Sequence, residues 1–590
     1  MFNNKISPPV QLALRYENLL TAETRSLFQD AEDPQKWHLI VKYTQSLEGA
    51  TQRLGLHVFL INEQFALVTI DKQNITRLSD EGNVIYITFS QVFSYINQSL
   101  DEICMTNVIQ ASGNYRVTGK GILVGIVDTG IDYSHPDFIM ANGKSRIRFL
   151  WDQTLPGKPP MGFETGTEYT NGEINAALAQ PEKSEQLALV PSQDTLGHGT
   201  VLAGVAAGNG RGSGGRNRGV ASESELLIVK LGQEGTDSNR PITREILLGI
   251  RYVIEKAKEL NQPIVILLGI GTSIGGHDGT AVLEQYLEQV AETWSCNFVV
   301  GTGNQGDKGG HTSGQIREEE EVDIQLLIEQ PKQNYQCGVW KQFIDEVQVV
   351  IESPQGERTE SLGILTPNRV YFFNNTIVLV NISEPSIDIL KQVVSIYFEA
   401  QTEEGINTGI WHIRLTGIRV LEGSYNAWGQ INADPLDRTR FLKADSEKTL
   451  TIPSTTMAIT SVGAFSSSIS QVAAFSGRGF TGDERVKPDL VAPGVNVLAP
   501  SIKPDVLYEE VSGTSVSAAF VAGAYALLME YGILQLGLPY LYGDTLKIYL
   551  LTTAQRPITY SPFPNSAWGY GSLCVEEALN RISEVNATST

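Results

Sequence analysis

Cysteine is scarce in this chain. Only Cys104, Cys296, Cys337 and Cys574 occur in 590 residues, and no two stand at metal-ligand or redox spacing. That excludes a disulfide framework, a zinc module and a redox dithiol, and leaves buried free thiols as the expectation. Positive charge is short as well. The 44 Lys and Arg against 66 Asp and Glu give a net charge of −22, which argues against nucleic acid or an anionic membrane as partner. No run of eighteen apolar residues is present, so no membrane span is expected. The start, Met1-Phe2-Asn3-Asn4-Lys5-Ile6-Ser7-Pro8-Pro9, has no basic segment followed by an apolar one. No secretory signal is expected there, and the protein is expected to stay in the cell or cell-derived compartment that makes it.

At this length the chain exceeds one average domain, and its 41% hydrophobic content and 56 glycines suit an α/β enzyme with many tight turns. Three short segments carry chemistry: Val127-Asp128-Thr129-Gly130, Gly197-His198-Gly199-Thr200 and Gly513-Thr514-Ser515. A serine hydroxyl is a poor nucleophile until an imidazole takes its proton, and the imidazole needs a carboxylate to fix its tautomer. Ser515 is the expected nucleophile, His198 the base and then acid, and Asp128 the orienting acid.

Local context supports each placement. Ile122 to Val127 reads as a buried parallel strand, with Asp128 at its carboxyl edge. Val201 to Ala207 and Ala518 to Leu528 read as buried helices that His198 and Ser515 open. Phe298-Val299-Val300 runs into Gly301-Thr302-Gly303-Asn304, and the Asn304 side chain with the Ser515 N–H is the expected oxyanion hole. Taken singly, an Asp-Thr-Gly is a turn and a Gly-Thr-Ser a helix start. The four together, each in a fitting strand or helix, give the catalytic reading.

The order Asp, His, Ser is that of the subtilisin family. Gly121 to Phe138, Gly197 to Gly208 and Val511 to Gly523 resemble its active-site blocks, and Phe475 to Gly479 and Lys487 to Gly494 resemble two further signatures. The resemblance covers roughly residues 115–310 and 450–580. Departures are Val201, Val516, Ser517, Ala519 and Phe520, none of them in the triad. The resemblance implies a parallel sheet flanked by helices and a cleft strand in which Gly269 and Gly271 pair with the substrate backbone. It also implies substrate contacts from Gly301, Thr302 and Gly303. Leu267 and Gly269 stand where relatives often carry Asn and Ser. The loop from Asn209 to Gly215 lacks the surroundings of a phosphate loop and the carbonyl-and-Asn pattern of a tight calcium site. No metal and no cofactor is expected.

Two further regions flank or interrupt the match. Residues 1–95 hold strand-like runs at 37–43, 56–60, 65–70 and 84–89 with room for two helices, after a helical, polar start. This β-α-β-β-α-β order resembles the chaperone and inhibitor prodomain of subtilisins. Such a prodomain would end in the active site, with self-cleavage expected at Ser90-Gln91-Val92, after Gln91. The protease domain is expected over 96–315 and 450–590, with a loop-rich insertion at 139–193 that carries no chemistry. Between its halves, 316–449 shows an acidic run, Glu318 to Glu321, then many short alternating segments, expected to form an inserted β-sandwich or jelly roll. That insert reads either as a clamp that rigidifies the enzyme or as a docking module.

Prodomain, protease and inserted sandwich, with Gly513-Thr514-Ser515-Val516-Ser517-Ala518-Ala519, resemble the Csp proteases of clostridial spore germination, of the catalytically intact, CspB-like kind. The resemblance implies a retained prodomain, a spore-associated location and a single proprotein substrate, the zymogen of a cortex hydrolase. The competing readings are a non-catalytic sensor on the same fold and a general intracellular subtilisin.

Overall fold

A computed structural model describes residues 5–30, 33–91, 94–95, 115–234, 240–291, 293–384, 391–431 and 437–589. Cys104 and Val92 lie outside them. At the centre is a nine-stranded sheet. Leu123–Asp128 lies in its middle, between Ile264–Leu268 and Glu225–Lys230, with parallel pairing on both sides. Every residue of Leu123–Asp128 and of Ile264–Leu268 is buried. This is why both read as unbroken apolar runs: helices cover the sheet on both faces. Cys296–Gly301 and Thr460–Ser466 continue it in parallel on one side, and Ile147–Asp152 on the other.

The helix Thr514–Met529 is buried at all sixteen positions. With its continuation to Gln535 it is long and apolar enough, by composition, to cross a membrane, yet 89% of that window is buried inside the protein. A core helix surrounded by sheet and helices is apolar all round for the same reason a membrane span is.

The N-terminal region folds as Lys36–Tyr43, a helix Glu48–Leu54, His57–Leu60, Phe65–Asp71, a helix Ile75–Ser79 and Val84–Thr88, in one four-stranded antiparallel sheet. Before it, Pro8–Tyr16 is helical and turns Val10, Leu12 and Ala13 inward. The sheet packs on the helices Thr243–Leu260 and Val282–Val290, which flank the central sheet. Ile40, Ile61 and Phe65 share a core with Leu247, Ile250 and Tyr286. Polar contacts border this seam: Lys42 Nζ donates to Gln285 at 2.7 Å, and Arg251 Nη1 donates to the Leu60 carbonyl at 2.6 Å.

The insert consists of a six-stranded and a four-stranded antiparallel sheet. They share one core: Tyr335, Val339, Val380 and Phe398 from the first meet Leu326, Val349, Trp411 and Ile413 from the second. His311–Gln315 pairs with Ser424–Gly429, so this unit starts before residue 316, the boundary expected from the sequence. The change of pattern at the acidic run marks its second strand, not its first. The insert also touches the N-terminal region. Ile377 and Leu379 are buried in the same core as Val10 and Leu12. Glu399 accepts from the Thr21 backbone N–H at 3.2 Å and from the Thr24 hydroxyl at 2.9 Å.

Cys296 and Cys337 are buried free thiols, and Cys574 is a partly buried one. Burial pushes the Cys296 thiol up to about 12 and the Cys337 thiol up as well. Neither forms a thiolate at neutral pH.

Candidate active site

Asp128, His198 and Ser515 come from a strand end and two helix starts, and meet at hydrogen-bonding distance. Asp128 Oδ1 accepts from His198 Nδ1 at 2.7 Å. His198 Nε2 lies 3.0 Å from Ser515 Oγ and accepts its proton. The Asp128 contact assigns the tautomer, since a carboxylate takes the Nδ1 proton and leaves Nε2 as the base. All three are 2% exposed or less.

Each position is fixed by its neighbours. Asp128 Oδ1 also accepts from the Thr129 N–H at 2.8 Å, and the Thr129 hydroxyl accepts from Gly199 N at 2.8 Å. Gly199 has to be glycine, because a Cβ there would stand 2.1 Å from the Gly130 carbonyl oxygen. The helix His198–Ala207 begins after Gly197, whose φ of +80° favours glycine. Asp194 caps that helix: Oδ1 accepts from Gly197 N at 2.8 Å, and Oδ2 accepts from Thr200 N at 2.9 Å and the Thr200 hydroxyl at 2.7 Å. A carboxylate here meets the unpaired N–H groups and the positive end of the helix. Asp194 was not identified from sequence. Its signal was an acid four residues ahead of the histidine, beside a predicted helix start.

Asn304 is clamped at one end. Its Oδ1 accepts from Thr514 N at 3.0 Å and from the Thr514 hydroxyl at 3.2 Å. Its Nδ2 is buried and has no hydrogen-bond partner among the described residues. A buried amide donor held in place without an acceptor is what a developing oxyanion requires.

Gly301 and Gly303 permit this close packing. A Cβ on Gly301 would lie 2.8 Å from Ser515 N, and Gly303 has φ +95°. Thr302 is fully buried and uses its backbone internally, donating to Val462 and accepting from Thr451. Its hydroxyl lies 3.4 Å from that of Ser476, so Thr302 supports the turn from within.

Gly269 approaches the triad itself. A Cβ there would fall 2.2 Å from Asp128 Oδ2 and 2.7 Å from His198 Cε1. Beyond it, Ile270–Gly271 pairs antiparallel with Ser94–Tyr95, with Gly271 opposite Ser94 and Ile270 opposite Tyr95. The segment that follows the N-terminal domain therefore lies along the cleft strand, running toward Gly269 and the triad. Gln91, the expected self-cleavage residue, is not part of that pairing. Gln91 lies upstream of the paired residues, and its N–H and carbonyl are bonded to Thr243 at 2.8 and 3.0 Å.

Among the described residues no group of three or more His, Cys, Asp or Glu side chains could hold a metal ion. Near the glycine-rich loop, buried Arg146 donates to the carbonyls of Asp137, Ala207 and Ser224 at 2.5 to 2.8 Å.

These features agree with comparisons to known proteins. The pattern of the Peptidase S8 subtilase family matches residues 119–326 and 398–571. That of the Csp protease B prodomain matches residues 4–89. The solved structure of the Clostridium perfringens CspB protease aligns with a TM-score of 0.73 and 31% identity, over 81% of this chain and 98% of that one. The minor extracellular protease Vpr of Bacillus subtilis (strain 168) is 23% identical over 510 residues, 80% of this chain and 53% of Vpr. The major intracellular serine protease of the same organism is 29% identical over 226 residues, 38% of this chain and 54% of its own. The chain thus spans about half the length of these two curated relatives. With its parallel sheet and its matched prodomain, the chain belongs to the subtilase family of serine proteases and is CspB-like within it.

Proposed function

We propose that this chain is a serine endopeptidase that cuts its own prodomain and then a single proprotein. The observation that carries the reading is the continuous hydrogen-bonded line from Asp128 through His198 to Ser515, with the unpartnered Asn304 Nδ2 beside it. As the Ser515 oxygen attacks a peptide carbonyl, His198 Nε2 takes the hydroxyl proton and Asp128 stabilises the imidazolium. Asn304 Nδ2 and the Ser515 N–H receive the carbonyl oxygen as it becomes negative. His198 then gives its proton to the leaving amine, and water repeats the sequence on the acyl-enzyme. This intact geometry disfavours the non-catalytic sensor.

The prodomain reading rests on the placement of Ser94–Tyr95 along Ile270–Gly271. The N-terminal domain is also held from two sides, by the protease helices and by the sandwich, which we read as a jelly roll acting as a clamp. A domain held by two surfaces stays bound after one cut and leaves the cleft open only to a substrate that displaces it. Likeness to the Csp group supports a place inside the cell or spore, with the zymogen of a cortex hydrolase as the substrate. The test is to express wild type and Ser515→Ala. The wild type is expected as two associated fragments and the variant as one full-length chain. Equal cleavage in both would remove Ser515 from the reaction.

A further inference from the structure

A cavity of about 300 Å³ lies in the seam between the N-terminal sheet and the protease, and no triad residue lines it. Its apolar walls come from both sides: Phe59 and Leu67 from the sheet, Trp151, Phe163 and Leu248 from the protease. Seams between domains are where small-molecule sites form, and this volume stands at the small end of such sites.

The charges around the cavity do not cancel. His57 Nε2 lies 3.3 Å from Glu164, and His38 Nε2 lies 3.3 Å from Asp30. Glu245 accepts from the Ile242 N–H at 3.0 Å, and burial pushes its carboxyl up to about 7, so at pH 6 it carries its proton. Glu234 is exposed to water. Each of these acids is thus paired, protonated or solvated.

Arg244 differs. It lines the same cavity and is half-buried, yet its guanidinium has no hydrogen bond or ion pair among the described residues. It stands in the first turn of Thr243–Leu260, at the positive end of that helix. Its charge reaches the opposite wall: burial, and then Arg244, push the His38 imidazole below its ordinary 6.5, against the pull of Asp30. Five guanidinium donors without an acceptor, in a chain of net charge −22, leave room for an anion.

The surroundings narrow its chemistry. One carboxylate matches the fork of one guanidinium, whereas a doubly charged phosphate would have a single cation to meet it and Glu164 nearby. The aromatic and aliphatic walls take an apolar body. We propose that this seam cavity binds a small monocarboxylate, its carboxylate on Arg244 and its apolar body against Phe59, Leu67 and Phe163. A ligand held by both sides favours the docked N-terminal domain, and the proposal does not depend on which protein the enzyme cuts.

The test is calorimetric titration of full-length Ser515→Ala at pH 6 with 3-phenylpropionate and with its neutral isostere 3-phenylpropionamide. The carboxylate is expected to bind at least about tenfold more tightly than the amide. Arg244→Gln on the same background is expected to erase that difference, and Arg244→Lys to keep part of it. Urea midpoints without ligand show that the variants fold. In processed wild type, saturating 3-phenylpropionate is expected to slow release of the cut N-terminal domain at least about threefold. Equal affinity for acid and amide overturns the proposal on the unaltered cavity, without recourse to a variant. So does Arg244→Gln that folds and binds the acid as before. An unchanged release rate at saturation overturns the placing of the ligand across the seam. None of these results bears on Ser515 chemistry, which the cleavage comparison above tests by itself.

Discussion

The Thr514 N–H donates to Asn304 Oδ1 at 3.0 Å, and that bond decides which end of the Asn304 amide faces the cleft. With its oxygen committed to the residue beside Ser515, the amide keeps Nδ2 free to donate to a reacting carbonyl. One strand turn and one helix start thereby orient each other.

Asn304→Ala is expected to lower turnover by roughly 10²–10³ while leaving ground-state binding of a peptide nearly unchanged, because the donor acts on charge present only in the transition state. Steady-state kinetics check this. A matched fall in kcat and kcat/KM supports the assignment, and a change confined to KM contradicts it.

Gly269→Ala is expected to damage the triad more than the fold. Its methyl would stand 2.2 Å from Asp128 Oδ2 and 2.7 Å from His198 Cε1. Displacing the imidazole by a fraction of an ångström to 1 Å costs on the order of 10²-fold in rate. Self-cleavage of the variant measures it, with the urea midpoint as the check that folding is retained.

Glu245 and Glu284 should each make stability fall as the pH rises from about 5 to 8. Glu245 is almost fully buried and Glu284 wholly so, and burial pushes each carboxyl from 4.5 up to about 7, against the N–H bonds each accepts at its helix start. Each acid holds its proton more tightly folded than unfolded. Its contribution is fully present below about pH 4.5 and is lost as pH passes through about 7, on the order of 1–3 kcal/mol per group. Urea unfolding of Ser515→Ala at pH 5.5 and 8 reads the slope. Glu284→Gln is expected to flatten it, and an unchanged slope would remove Glu284 as a source.

Glu399→Ala is expected to loosen the prodomain without affecting the triad. It removes both acceptors that hold Thr21 and Thr24 against the sandwich. Hydrogen bonds to a charged group contribute about 1.5–3 kcal/mol, so release of the cut prodomain should accelerate roughly tenfold or more. Size-exclusion chromatography of the processed protein over time follows the release.

Much of the site was legible in the chain itself. Asp128, His198, Ser515 and Asn304 each end or open a segment whose pattern is strongly apolar, and burial on both sheet faces produces such patterns whatever the rest of the fold. The N-terminal strands read as apolar runs for the same reason, with one face against the protease helices and the other against Pro8–Tyr16. Sequence could not foresee that Gln91 is tied to Thr243 while Ser94–Tyr95 lies along Ile270–Gly271, a register set between segments far apart in the chain. Nor could it separate Thr302, buried in the turn, from its glycine neighbours, which make room for Ser515 and Asn304. Asp194 carried no motif, since its meaning lies in what stands opposite it. Local pattern determined which elements form and which chemistry they carry. Tertiary packing alone decided which polar atoms are satisfied and which are left facing the cleft, because a buried oxygen or N–H is defined by partners from distant segments.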